Sequence, residues 1–87
     1  MGDFNKYTPL IYAAQKGHFD LVEAMIENVP RLNINKGDKF KRSPLLFAAR
    51  NGRPRILALL LKNHALGTLP DTSGNTPVHY AAAYGHL

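Results

Sequence analysis

Apolar residues fall in short bursts of helical period, separated by clusters of glycine, proline, asparagine and charge. Leu21, Val22, Met25, Ile26 and Val29 recur every three or four residues, and Ile56, Leu57, Leu60 and Leu61 do the same. That spacing puts each set on one face of a helix. Asp20 stands where the positive N-terminal end of the first of these helices favours an acid. Pro54 can open the second, and Pro30 and Asn63 mark where the two stop. A shorter, alanine-rich segment precedes each burst, and a third copy of it lies near the end of the chain. The copies read TPLIYAAQKGH over 8–18, SPLLFAARNGR over 43–53 and TPVHYAAAYGH over 76–86.

The copies start 35 and 33 residues apart, and Asp3, Asp38 and Asp71 each stand five residues before the first position. Thr8, Ser43 and Thr76 are N-cap types, whose hydroxyl accepts an otherwise unbonded backbone N–H. Pro9, Pro44 and Pro77 follow at the first helical position, where no N–H is needed. The pairs Ala13-Ala14, Ala48-Ala49 and Ala81-Ala82 are strong helix formers and small enough for close helix approach. Gly17, Gly52 and Gly85 suit a left-handed stop. The repeating unit is therefore helix, tight turn, helix and loop, and the fold class is all-α.

These residues resemble the ankyrin-repeat family. Its pattern D-x-x-G-x-T-P-L-H-x-A-A-x-x-G-H is nearly reproduced by Asp71, Gly74, Thr76, Pro77, His79, Ala81, Ala82, Gly85 and His86, at the family's period of about 33. The resemblance implies a solenoid of stacked helix–turn–helix units with β-hairpin-like finger loops, about two and a half repeats long. The units span about 3–37 and 38–70, with a partial third over 71–87. The departures are local. Lys6 and Lys41 stand at the finger glycine kept as Gly74, Ile11 and Leu46 stand at the histidine kept as His79, and two extra residues lie within 29–37.

The third unit reaches Leu87 where its second helix should begin. A repeat buries its apolar face only against neighbours. The expectation is a fragment of a longer array, marginally stable or self-associating through an open end lined by Leu57, Leu60 and Leu61.

The resemblance also implies what the chain does. Family members bind other proteins on a concave side made of finger tips and the exposed face of each first helix. By position that side takes Phe4, Asn5, Tyr7, Gln15 and Lys16 from the first unit. The second gives Lys39, Phe40, Arg42, Arg50 and Asn51, and the third Thr72, Ser73, Asn75, Ala83 and Tyr84. Of these, Tyr7, Lys16, Lys39, Phe40, Arg42, Arg50, Asn51, Asn75 and Tyr84 are the candidate partner-binding residues. The set holds cations and aromatics and no acid, which fits a partner segment with acidic and apolar side chains. The densest basic stretch is the finger over 36–42.

Composition narrows the rest. The chain has 87 residues, 45% of them hydrophobic and 20% charged, as in ordinary folded soluble chains. Its net charge of +5 favours acidic partners. The longest apolar run has six residues, far short of the roughly 18 of a spanning helix. The N-terminus has no secretory pattern and lacks the Ser or Thr of a myristoylation site, where Lys6 stands. With no cysteine, the chain fits a reducing compartment, cytoplasmic or nuclear.

No enzyme chemistry is legible, so no catalytic residue, metal or cofactor is expected. His18, His64, His79 and His86 lack metal-site spacing. His18 and His86 occupy helix–helix turns, where a structural hydrogen bond is expected, and His79 pairs with Thr76. Ser43 and Thr76 are explained by capping, Glu23 and Glu27 by a solvated helix face. Neither G-x-x-x-x-G-K-S/T nor G-x-G-x-x-G occurs. Nucleic-acid binding would use the same basic, aromatic surface, but no recognised signature accompanies it. The stretch could also be the regulatory or targeting arm of a larger multidomain enzyme or membrane protein.

Overall fold

A computed structural model describes residues 7–84. Five helices follow one another: α1 (Pro9–Lys16), α2 (Phe19–Asn28), α3 (Pro44–Arg50), α4 (Pro54–Lys62) and α5 (Pro77–Ala83). They form two layers. The first helices α1, α3 and α5 pack side by side, the second helices α2 and α4 pack on each other, and α1–α2 and α3–α4 pair across the layers.

The local signals act as expected. Thr8 Oγ1 accepts from the Ile11 N–H at 3.1 Å, and Ser43 Oγ from the Leu46 N–H at 3.2 Å. At α5 the arrangement is reciprocal: Thr76 caps the His79 N–H, and His79 Nδ1 accepts from the Thr76 N–H at 3.0 Å. Proline opens α1, α3, α4 and α5. Gly17, at φ 82°, ends α1, and its N–H reaches back to the helix carbonyls. A Cβ at Gly17 would lie 3.0 Å from the Arg53 guanidinium, the movable end of a flexible side chain, so it is chiefly the backbone angle that requires glycine here.

The core lies between the layers. Leu10, Ala13, Ala14, Val22, Leu45, Ala48, Ile56, Leu60 and Ala65 are buried together. Every residue of α3 up to Ala49 is buried, because this helix has neighbours on both sides and behind. Leu60 is fully buried among these residues, which corrects its expected place on an open end; Leu57 is half-buried and Leu61 exposed.

α4 ends at Asn63 as expected, and the Asn63 side-chain amide donates to the Leu59 carbonyl at 2.9 Å. His64 follows at a left-handed φ of 74°, while its N–H bonds Leu61 and the Ala65 N–H bonds Leu60. Glycine usually fills this role. His18 contributes its backbone N–H, to the Ala13 carbonyl, and its exposed ring makes no hydrogen bond among the described residues.

The fingers are tight hairpin turns rather than strands. Asp38 N–H donates to the Arg42 carbonyl and Asp71 N–H to the Asn75 carbonyl. Each aspartate side chain then closes its own turn. Asp38 Oδ1 accepts from the N–H groups of Phe40 and Arg42, and Asp71 Oδ1 from those of Ser73 and Asn75, all at 2.9 Å. This explains the aspartate five residues before the caps Ser43 and Thr76; Asp3 lies outside the described residues. Gly74 sits at φ 82°, and Lys41 holds the matching place at φ 60°. A side chain there costs about 1 kcal/mol or more. The fingers are joined by a Thr72 N–H to Phe40 carbonyl bond of 2.9 Å.

Candidate protein-interaction surface

The side on which the fingers meet α1, α3 and α5 carries two patches of cation and aromatic ring. The first is built around Arg42. Its guanidinium pairs with Asp38 Oδ2 at 2.8 Å, donates to the Tyr7 hydroxyl at 3.3 Å, and lies over the rings of Phe40 and Phe47 at 4.9 and 5.0 Å. Tyr7 presents an edge-to-face contact to Tyr12 at 5.2 Å and to Phe47 at 5.9 Å. Lys39 lies 5.7 Å from the Phe40 ring. Such stacks are favourable.

The second patch belongs to the third unit. Tyr80 donates its hydroxyl to Asp71 Oδ2 at 2.6 Å and sits 6.2 Å from Tyr84, whose ring lies 6.0 Å from the Arg50 guanidinium. Phe40 and Tyr84 are 41% and 52% exposed.

Hydrogen bonding and burial shift three of the titrating groups here, Asp71, Tyr80 and Arg42. Burial alone would raise the Asp71 carboxyl, but the Tyr80 hydroxyl and the N–H groups of Asn75 and Ser73 outweigh it, with help from Arg42. The Asp71 pKa is therefore lowered. Tyr80 is raised, first by its hydrogen bond to that carboxylate and then by burial. For Arg42, burial pulls downward while the Asp38 hydrogen bond and charge carry the net shift upward. Among the described residues no three His, Cys, Asp or Glu side chains gather to hold a metal ion.

The candidate residues from the sequence fall into three groups. Tyr7, Lys39, Phe40, Arg42, Arg50 and Tyr84 come together in the two patches. Lys16 is exposed at the end of α1, and Asn75 is half-buried in its finger. The Asn51 amide instead donates to the Gln15 carbonyl at 3.2 Å, next to an Arg53 bond to the same carbonyl at 3.3 Å, so it ties two units together. Phe4, Asn5, Gly85 and His86 lie outside the described residues. Tyr12, Phe47 and Tyr80 also build the patches and were missed. All three stand two residues after the leucine, or Val78, of the capped segment, and that shared position was the available signal.

Two stacked helical layers, a row of aspartate-closed fingers and one aromatic, basic side define a repeat-built recognition protein. Residues 10–87 match the family described as ankyrin repeats (3 copies). The chain belongs to the ankyrin-repeat family, whose repeats are protein-interaction modules. It is 43% identical over 83 residues to "Poly [ADP-ribose] polymerase tankyrase" of Caenorhabditis elegans, covering 95% of this chain and 4% of that protein. It is 38% identical over 86 residues to "Inversin" of Canis lupus familiaris, covering 97% of this chain and 8% of the relative. A "Target of rapamycin complex 2 subunit" of Saccharomyces cerevisiae is 30% identical over 84 residues, covering 97% and 20%. The chain thus spans a small part of each relative, and likeness to 4% of a polymerase assigns no catalysis here. No helix among the described residues is long and apolar enough to cross a membrane.

Proposed function

We propose that this chain recognises a protein partner on the side shared by its fingers and first helices, and that the partner contributes a segment of acidic and apolar side chains. The observation that carries this is the pair of cation–aromatic patches around Arg42 and Arg50. Tyr7, Tyr12, Phe40 and Tyr84 supply contact area. Lys16, Lys39 and Arg50 supply attraction that speeds encounter. The cytoplasm or nucleus is the compartment that fits.

Phe40 is the residue to test. Arg42→Glu would set a carboxylate against Asp38 and disturb the finger itself, so it reports on folding rather than binding. Peptides selected from a random library against the chain are expected to be rich in Asp or Glu beside aromatic or aliphatic residues. Phe40→Ala should weaken the best of them roughly tenfold, as loss of an aromatic anchor does, with an unchanged circular dichroism spectrum. Affinity equal to that of the parent chain would remove this surface from consideration.

The small share of each relative that the chain spans favours a second use of the same surface, as the targeting or regulatory arm of a larger protein. A second copy is a further partner we propose. Leu57 and Ala81 line a recess of about 250 Å³ between α3, α4 and α5 with Ala48, Ala49, Gly52, Arg53 and Pro54. Molar mass by light scattering across a dilution series tests this, and a constant monomer mass would exclude it.

A further inference from the structure

The second finger has another flank, and it is built differently. Lys36 and Lys41 line a recess of about 310 Å³ together with Asn35, Gly37, Leu69 and Pro70; Asp38 forms its floor. This volume is at the small end of ligand sites, which begin near ~300 Å³. None of the aromatic residues of the two patches takes part. The wall is fixed, because Asn35 Oδ1 accepts from the Leu66 N–H at 2.9 Å and so ties one side of the recess to the segment leading to the other.

Three observations converge on an anion. A Cβ at Gly37 would lie 2.8 Å from the Lys41 carbonyl carbon and 2.9 Å from its Cα. Only glycine lets these backbones touch, and the contact brings the two lysine stems to one recess. Lys41, moreover, occupies the left-handed position that glycine fills without strain in the next finger. Lys41 is exposed and touches no carboxylate among the described residues, so its charge is not spent within the fold. Finally, little opposes the two ammonium charges. The exposed carboxylates among the described residues, Asp20, Glu23 and Glu27, all belong to α2, and the Asp38 carboxylate is already held by Arg42.

We propose that this recess is a second recognition site and takes a phosphoryl group carried on a partner protein. A phosphoryl group brings about −1.5 to −2 charges and three acceptor oxygens to one point, enough for both ammonium groups. A single carboxylate would neutralise one of them. The site goes beyond the concave surface and stands or falls independently of it.

The test is a nuclear magnetic resonance titration of the ¹⁵N-labelled chain at low salt. Three short peptides with neutral flanks are compared, carrying phosphoserine, glutamate or serine at one position. The phosphoserine peptide should shift amides of residues 35–41 and 69, and bind roughly tenfold more tightly than the glutamate peptide. Lys36→Ala and Lys41→Gly should each weaken it by a similar factor. Lys41→Gly relieves the backbone, so its melting temperature should not fall, and lost binding there cannot be ascribed to unfolding. Phe40→Ala should leave this titration unchanged, which separates the two sites. Equal affinity for phosphoserine and glutamate, shifts confined to Tyr12 and Tyr84, or full binding by Lys41→Gly would each overturn the proposal. So would preferential binding to mixed phosphatidylcholine–phosphatidylserine vesicles, which would reassign the site to a membrane surface.

Discussion

Tyr80 and Asp71 show how one pair of side chains can set the shape of a finger. The aspartate closes the turn through two backbone N–H groups, and the phenol fixes its second oxygen. Tyr80→Phe removes a hydrogen bond to a charged group and should cost about 1.5–3 kcal/mol, read as a lower urea midpoint with unchanged slope. The pair also sets a pH response. Asp71 is lowered below 3.8, so its stabilisation is present above that value and is lost as pH falls through the folded-state pKa. Asp71→Asn should therefore be less stable near neutrality and lose less on acidification than the parent, which urea titrations across acidic pH would reveal. Tyr80 is raised above 10.0, so its contribution is present below that value and fades as pH rises through the folded-state pKa. The aspartates were visible in the sequence as a period. Their chemistry was not, because closing a turn depends on backbone direction, which a list of residues leaves open. The same gap hid the fate of Arg42, whose charge is plain in the sequence and whose partner is not.

Helices were the most legible level. Caps, prolines and the Gly17 stop are local signals acting within a few residues of themselves, so their positions alone sufficed. The misjudged points all depend on neighbours distant in sequence. Leu60 was expected at an open end, yet it is turned into the core shared by α2 and α4. The bond from Asn51 to Gln15 of the preceding unit was likewise hidden from the sequence. The joint between units makes a further demand at Gly17, where a positive φ coincides with the Arg53 guanidinium. Gly17→Ala should cost about 1–2 kcal/mol from the backbone angle alone, and more if Arg53 cannot yield. Arg53→Ala in the same background should recover any steric part, measured as a double-mutant cycle in thermal unfolding.

The molecule as a whole is a stack with α3 at its centre. Packed by α1 on one side, α5 on the other and α4 behind, α3 joins the row of first helices to the second layer. Leu46 is fully buried there, and Leu46→Ala should cost about 2–5 kcal/mol. Small single domains hold only some 5–15 kcal/mol in reserve, so this variant should show a broad or missing unfolding transition by circular dichroism. A truncation at the surface, Val78→Ala at a side chain 60% exposed, should leave the transition almost where it was.

The bond from Thr72 to the Phe40 carbonyl gives the fingers a mechanical property that neither has alone. A ligand that tugs the second tine drags the third through its main chain, whatever side chains they bear. A long, flexible guest reaching both would meet two footholds already tied to one another.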